Sequence, residues 1–99
     1  MIHEMRTCTL RTGAVAEFED RFAKRKPLRE KISKLGGFWH TESGPLNQVV
    51  HVWVYKDSNE RTRIREESRK GGQWPPQSGV RPLRQENKLL IPAAFSPLQ

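Results

Sequence analysis

Two periods alternate along this chain. Short runs rich in β-branched or aromatic residues, each bounded by turn signals, predict strands at Ile2 to Leu10, Phe38 to Ser43, Val49 to Tyr55 and Glu86 to Pro92. Between the first two, Val15, Phe18 and Phe22 stand three and four apart, and Leu28, Ile32 and Leu35 resume the spacing, which predicts a helix. Thr12 in the turn Arg11-Thr12-Gly13 is placed to cap it. Pro27 lacks an amide donor and is expected to kink or break it near residues 23 to 26, and Gly36-Gly37 to end it. A second helix starts at Asp57, a cap residue with Glu60 three positions on, and continues through "ERTRIREESRK" with Ile64 as its only apolar residue. From Gly71 to Pro82 breakers dominate, predicting mostly irregular structure pinned by Trp74, Val80 and Leu83. The order is β-α-β-β-α-β over one domain, residues 1–99. That is the ferredoxin-like split βαβ plan, an α+β fold with one antiparallel sheet and both helices on one face.

The third strand, "VVHVWVY", poses the main problem. Its side chains alternate, so Val50, Val52 and Val54 point one way while Val49, His51, Trp53 and Tyr55 point the other. The expectation here is that the helices cover the valines and that His51, Trp53 and Tyr55 remain on the open face. A patch with two large aromatics marks an interaction site.

Composition sharpens the need for cover. A chain of 99 residues buries roughly 60% to 70% of the surface it exposes unfolded. Only 34% of the residues are hydrophobic and mean hydropathy is −0.80, so the core is thin. Eighteen basic residues give a net charge of +7, which raises the prospect of an anionic partner. A single cysteine excludes an intrachain disulfide and a cysteine-rich metal site. With no apolar run near the length of a membrane span and no apolar leader segment, the chain reads as a soluble, cytoplasmic protein without a transmembrane segment.

Two partners fit the open aromatic face. An RNA-binding sheet of this topology stacks bases on aromatics of its first and third strands, but "NQVVHVWVY" has no glycine or basic residue in the matching places and the first strand has no aromatic, which disfavours nucleic acid. The alternative is a second copy of the same sheet, packed face to face as a two-fold homodimer with a cavity between. His51 and Trp53 then line the cavity with one alternating set of the first strand. The polar set Glu4, Arg6 and Cys8 is the expected one, because Met5, Thr7 and Thr9 lie under a helix more cheaply than unpaired charges do.

The candidate chemistry is sparse. His51 is suited to proton transfer or haem ligation near neutrality, though a buried interface histidine is the plainer reading. Arg6 is suited to clamping a carboxylate or phosphate, or to pairing with Glu4. Cys8 is either a small apolar filler or a thiol activated by Arg6. His40 and Glu42 share a face but two ligands do not make a metal site, and His3 reads as solvated. The basic runs from Arg21 to Lys34 and from Arg61 to Lys70 read as solvated outer helix faces. No cofactor is indicated.

"GPLNQVVHVWVY", "HEMRTCTLRTG" followed by "VAEFE", and "QENKLLIPAAFSPL" together resemble the NIPSNAP family, over nearly the whole chain. Gly44, Asn47, His51, Trp53 and Tyr55 carry the most specific part of the resemblance. It implies a dimeric α/β-barrel, whose wider superfamily includes small monooxygenases and haem-handling enzymes, and it leaves the activity of this chain uncharacterised. Two features depart from the family pattern: Cys8 stands where a tyrosine is usual, and "KGGQWPPQSG" where members continue as helix. The resulting expectation is a homodimer that binds a small molecule between its sheets at Glu4, Arg6, Cys8, His51 and Trp53, or acts as an interaction module, with a small oxygenase-like or haem-handling enzyme as the alternative the resemblance implies.

Overall fold

The computed structural model describes residues 1–70 and 81–99. The element order is β1 (Ile2–Thr9), α1 (Val15–Glu30), β2 (Lys34–His40), β3 (Gln48–Tyr55), α2 (Ser58–Lys70) and β4 (Arg84–Leu90). The four strands form one antiparallel sheet in the order β2-β3-β1-β4. This is the expected β-α-β-β-α-β fold, and the α+β plan stands.

Local signals set most boundaries. Asp57 caps α2 as its composition predicts, its Oδ1 accepting the Glu60 amide at 2.8 Å. The turn into β3 takes Asn47 at φ 62° and Gly44 at φ 92°, left-handed conformations that asparagine tolerates and glycine adopts freely. α1 departs from expectation at both ends and in the middle. Its N-cap is Ala14, which makes no side-chain cap, so Thr12 does not serve. The helix runs unbroken through Pro27 and stops one turn later at Glu30. Gly36 and Gly37 therefore lie inside β2 instead of ending a helix, at an irregularity in the β2–β3 register between Leu35 and Gly37. Trp74 and Val80 lie outside the described residues, and the side chain of Leu83 is exposed, not a pin. What anchors that point is backbone: the Leu83 amide donates to the Thr9 carbonyl at 2.7 Å.

The faces of the sheet are the reverse of those expected. Along β3 the buried residues are Val49, His51, Trp53 and Tyr55, with Trp53 and Tyr55 each 1% exposed, while Val50, Val52 and Val54 are only partly covered. Trp53 and Tyr55 pack with Phe22 of α1 and Ile64 of α2, and Val49 packs with Cys8, Leu10 and Ala14. The physical reason is volume. The helices bring few large apolar residues to the interface, chiefly Phe18, Phe22 and Ile64, so the sheet must present its bulkiest side chains there to reach interior packing density. Three valines could not fill that space. His51, Trp53 and Tyr55 therefore form no exposed dimer face, and Trp53 and Tyr55 offer no surface on which bases could stack.

Ile64 is fully buried and is the single apolar anchor of α2. Ile64→Ala should lower unfolding free energy by about 2 to 5 kcal/mol, read as a lower urea midpoint, because it leaves a cavity at the only apolar contact this helix offers.

Candidate functional site

Register places the polar side chains. In the β1–β3 pair Glu4 lies opposite Trp53, Arg6 opposite His51 and Cys8 opposite Val49, so all six share the helix-covered face. In the β1–β4 pair Arg6 lies opposite Asn87 and Cys8 opposite Gln85, which brings two amides of β4 to the same face. Glu4, Arg6, Cys8, His51 and Trp53 are thus brought onto one face as their alternation requires. That face looks into the chain's own helices and not into a space between two sheets.

Glu4 is the centre of the arrangement. Its carboxylate is 1% exposed and its Oε2 accepts from Arg61 Nη2 at 2.6 Å and from Asn87 Nδ2 at 3.1 Å, with Arg65 Nη1 at 3.9 Å. Burial pushes this carboxyl up, but the Arg61 hydrogen bond and the charges of Arg61, Arg6 and Arg65 together bring it below its ordinary value, so it is ionised. Arg6 donates through Nη2 to Gln85 Oε1 at 3.4 Å. Its Nε, and that of Arg61, are buried with no acceptor among the described residues.

His51 is unsuited to proton transfer near neutrality. Its ring stacks on Phe38 with centroids 5.4 Å apart and meets the edge of Phe22 at 5.2 Å and of Trp53 at 6.3 Å. Burial, aided by the charges of Arg6 and Arg29 and opposed by Glu4, pulls its pKa down to about 4. The imidazole is neutral, packed among rings, with Nδ1 unpartnered among the described residues. Cys8 is a core filler: burial pushes its thiol up, Arg6 opposing only in part. His3 is half-buried on the opposite face, and His40 Nδ1 lies 2.8 Å from Glu19 Oε2.

Arg29 departs from the solvated surface expected of the basic runs. It is buried, donates to Ser33 Oγ and, at 2.7 Å, to the Tyr55 hydroxyl, and sets its guanidinium 4.6 Å over the Trp53 ring. The signal was helical phase, since Arg29 stands seven residues after Phe22 and so on the same stripe. Arg61 and Arg65 flank Ile64 on the inward face of α2 by the same rule. Asn87 and Gln85 carried no sequence signal, because only strand pairing brings them here.

A four-stranded antiparallel sheet carrying two helices on one face, with a buried carboxylate ringed by arginines between the layers, defines the class as ferredoxin-like α+β. The NIPSNAP family profile matches residues 3–97, and the chain belongs to that family. It is 36% identical over 73 residues to a NipSnap homolog of Dictyostelium discoideum, covering 74% of this chain and 33% of that one. It is 31% identical to human NipSnap homolog 2, covering 99% of this chain and 35% of that one. The chain therefore spans about a third of the length of these curated relatives. Among solved structures, a NIPSNAP domain protein of Burkholderia xenovorans is 32% identical with a TM-score of 0.84, covering 98% of this chain and 99% of that one. A putative antibiotic biosynthesis monooxygenase of Nitrosomonas europaea, 9% identical with a TM-score of 0.63, covers 93% of this chain and 98% of that one and shares the fold alone. No helix among the described residues is long and apolar enough to cross a membrane.

The histidine sets a pH dependence. His51 protonates less readily folded than unfolded, so the unfolded chain takes the extra proton. Its contribution is complete above its ordinary 6.5 and falls away as pH drops toward about 4. The loss should be on the order of 3 kcal/mol across that window. Urea unfolding between pH 7 and pH 4 should show this slope, and His51→Phe should flatten it.

Proposed function

We propose that the chain acts as a self-associating module, a homodimer formed through the sheet face that its helices leave open. The observation that carries this reading is that the two helices cover the same face, leaving the apolar positions of the other face only partly covered among the described residues. Val50, Val52 and Val54 of β3, Met5 and Thr7 of β1 and Trp39 of β2 share this surface by register. Trp39 is 55% exposed, lying where its ring would meet any Cβ added to Gly37.

β4 supports the same reading. Every residue of it is exposed, on both faces, and the chain continues into Ile91, Phe95 and Leu98, which are 83%, 91% and 74% exposed. Exposed apolar area on this scale marks an association surface, and association through one self-complementary patch closes as a two-fold dimer. Burying it at about 25 cal/mol per Å2 adds to a core that is thin within one chain. The space between the sheets is then lined by valines, Met5 and Trp39, and the polar residues Glu4, Arg6, Cys8 and His51 stay inside each chain.

Light scattering across micromolar dilution should give a stable dimer for the wild type and a folded monomer for Val52→Asp, which places a charge at the centre of the face twice over by symmetry. Trp53→Asp should instead unfold the chain, since that residue is core. A wild type that is monomeric throughout, or a Val52→Asp protein that remains dimeric, overturns the proposal.

A further inference from the structure

The polar cluster under the helices is not balanced within itself. Three guanidinium groups, Arg6, Arg61 and Arg65, converge on one carboxylate, Glu4. The local surplus is two positive charges, in a place where burial weakens the screening that water would provide. Two buried donors, Arg6 Nε and Arg61 Nε, have no acceptor among the described residues. Buried N–H groups in folded proteins nearly always have a partner. A surplus of positive charge together with unanswered N–H donors is complemented in both respects by a small anion bearing several acceptor oxygens, whereas water answers the donors alone.

We propose that Arg6, Arg61 and Arg65 bind a small oxyanion, a carboxylate or a phosphate, on the helix side of the β1–β4 pair. Guanidinium forks match the planar carboxylate and the phosphate edge alike through paired, charge-assisted hydrogen bonds. At the margin of the cluster Gln85 and Asn87 of β4 are exposed and the Arg65 side chain is 38% exposed, so this is the side on which an anion would meet it from solvent. Glu4 holds Arg61 in place by their 2.6 Å contact and, being an anion itself, limits the site to one small guest. The site lies within one chain and does not depend on the dimer.

The test is a titration of the 15N-labelled protein with inorganic phosphate and, separately, with acetate at constant ionic strength, following the arginine Nε–Hε signals. The Arg6 and Arg61 signals should shift and saturate, while those of the exposed Arg63 and Arg81 drift without saturating. Arg6→Gln should weaken binding about tenfold, the loss expected for one charge-assisted hydrogen-bonded contact. If that variant does not fold, Arg6→Lys keeps the charge, loses the fork and carries the same expectation. Glu4→Gln, which keeps an oxygen for Arg61 and removes the competing charge, should tighten binding several-fold. The tighter of the two probes identifies the ligand class. Shifts that never saturate, or that saturate equally at the exposed arginines, mean that ordered water answers the two donors and overturn the proposal, as does unchanged affinity in both Arg6 variants. Repeating the titration with Val52→Asp separates this site from the dimer: binding by that variant is expected whatever its assembly state.

Discussion

The contact on which this structure turns is the Glu4 carboxylate closed under Arg61. A lone ionised carboxylate in the interior costs several kcal/mol, and the pairing with Arg61, supported by Asn87 and Arg65, offsets that cost more than it adds net stability. Its importance is directional. Side chains on a strand alternate, so once Glu4 points toward α2, Arg6 and Cys8 must point the same way, and their cross-strand partners Trp53, His51 and Val49 with them. A slip of one residue would turn Met5 and Thr7 inward and leave Arg61 facing no acid. One ion pair joins β1 to α2 and its amide partner joins β1 to β4, which holds the register in the facing that the aromatic bulk of β3 requires.

The remainder of the interior is built around that choice. The helices contribute little apolar volume, so the sheet supplies the aromatic bulk, and Phe22, Phe38, His51 and Trp53 form a continuous cluster of rings. Arg29 closes the end of it. Its guanidinium lies over Trp53 and donates to Tyr55, so a charged side chain takes the place an aliphatic one would hold in a larger protein. The neutral state of His51 belongs to the same economy of space, because rings crowd it and two nearby guanidinium groups oppose a third positive charge.

The fold was legible because its signals are local. Turn residues such as Gly44 and Asn47, the Asp57 cap, and the β-branched run of β3 each act within a few positions. The facing of the sheet was not legible, because both the helix side chains that receive the β3 aromatics and the partners that make a buried Glu4 tolerable are remote in sequence. Arg61 is 57 residues from Glu4 and Asn87 is 83, so judged without them a buried Glu4 looks like an uncompensated charge and is assigned to a wet cavity. The grouping survived where the placement failed: strand alternation alone ties Glu4, Arg6 and Cys8 together, and pairing with His51 and Trp53 follows from register. Arg29 shows the opposite error. Its helical phase puts it on the Phe22 stripe although its charge reads as solvated, and a guanidinium that stacks on an indole does not behave as a solvated ion.

β1 links the two surfaces that matter here. On one side it carries Glu4 and Arg6 into the arginine cluster, and on the other it presents His3, Met5 and Thr7 beside the valines of β3. The strand cannot rotate to favour either face, since it is hydrogen-bonded to β3 along one edge and β4 along the other. The division of labour is therefore fixed in the backbone: charge chemistry is confined beneath the helices, the apolar surface is left outside, and β4, exposed on both faces, forms the margin at which the two meet. In so small a chain with a core this thin, separating the two by the thickness of one sheet lets a buried ionic centre and a half-covered apolar face coexist without either spoiling the other's solvent environment.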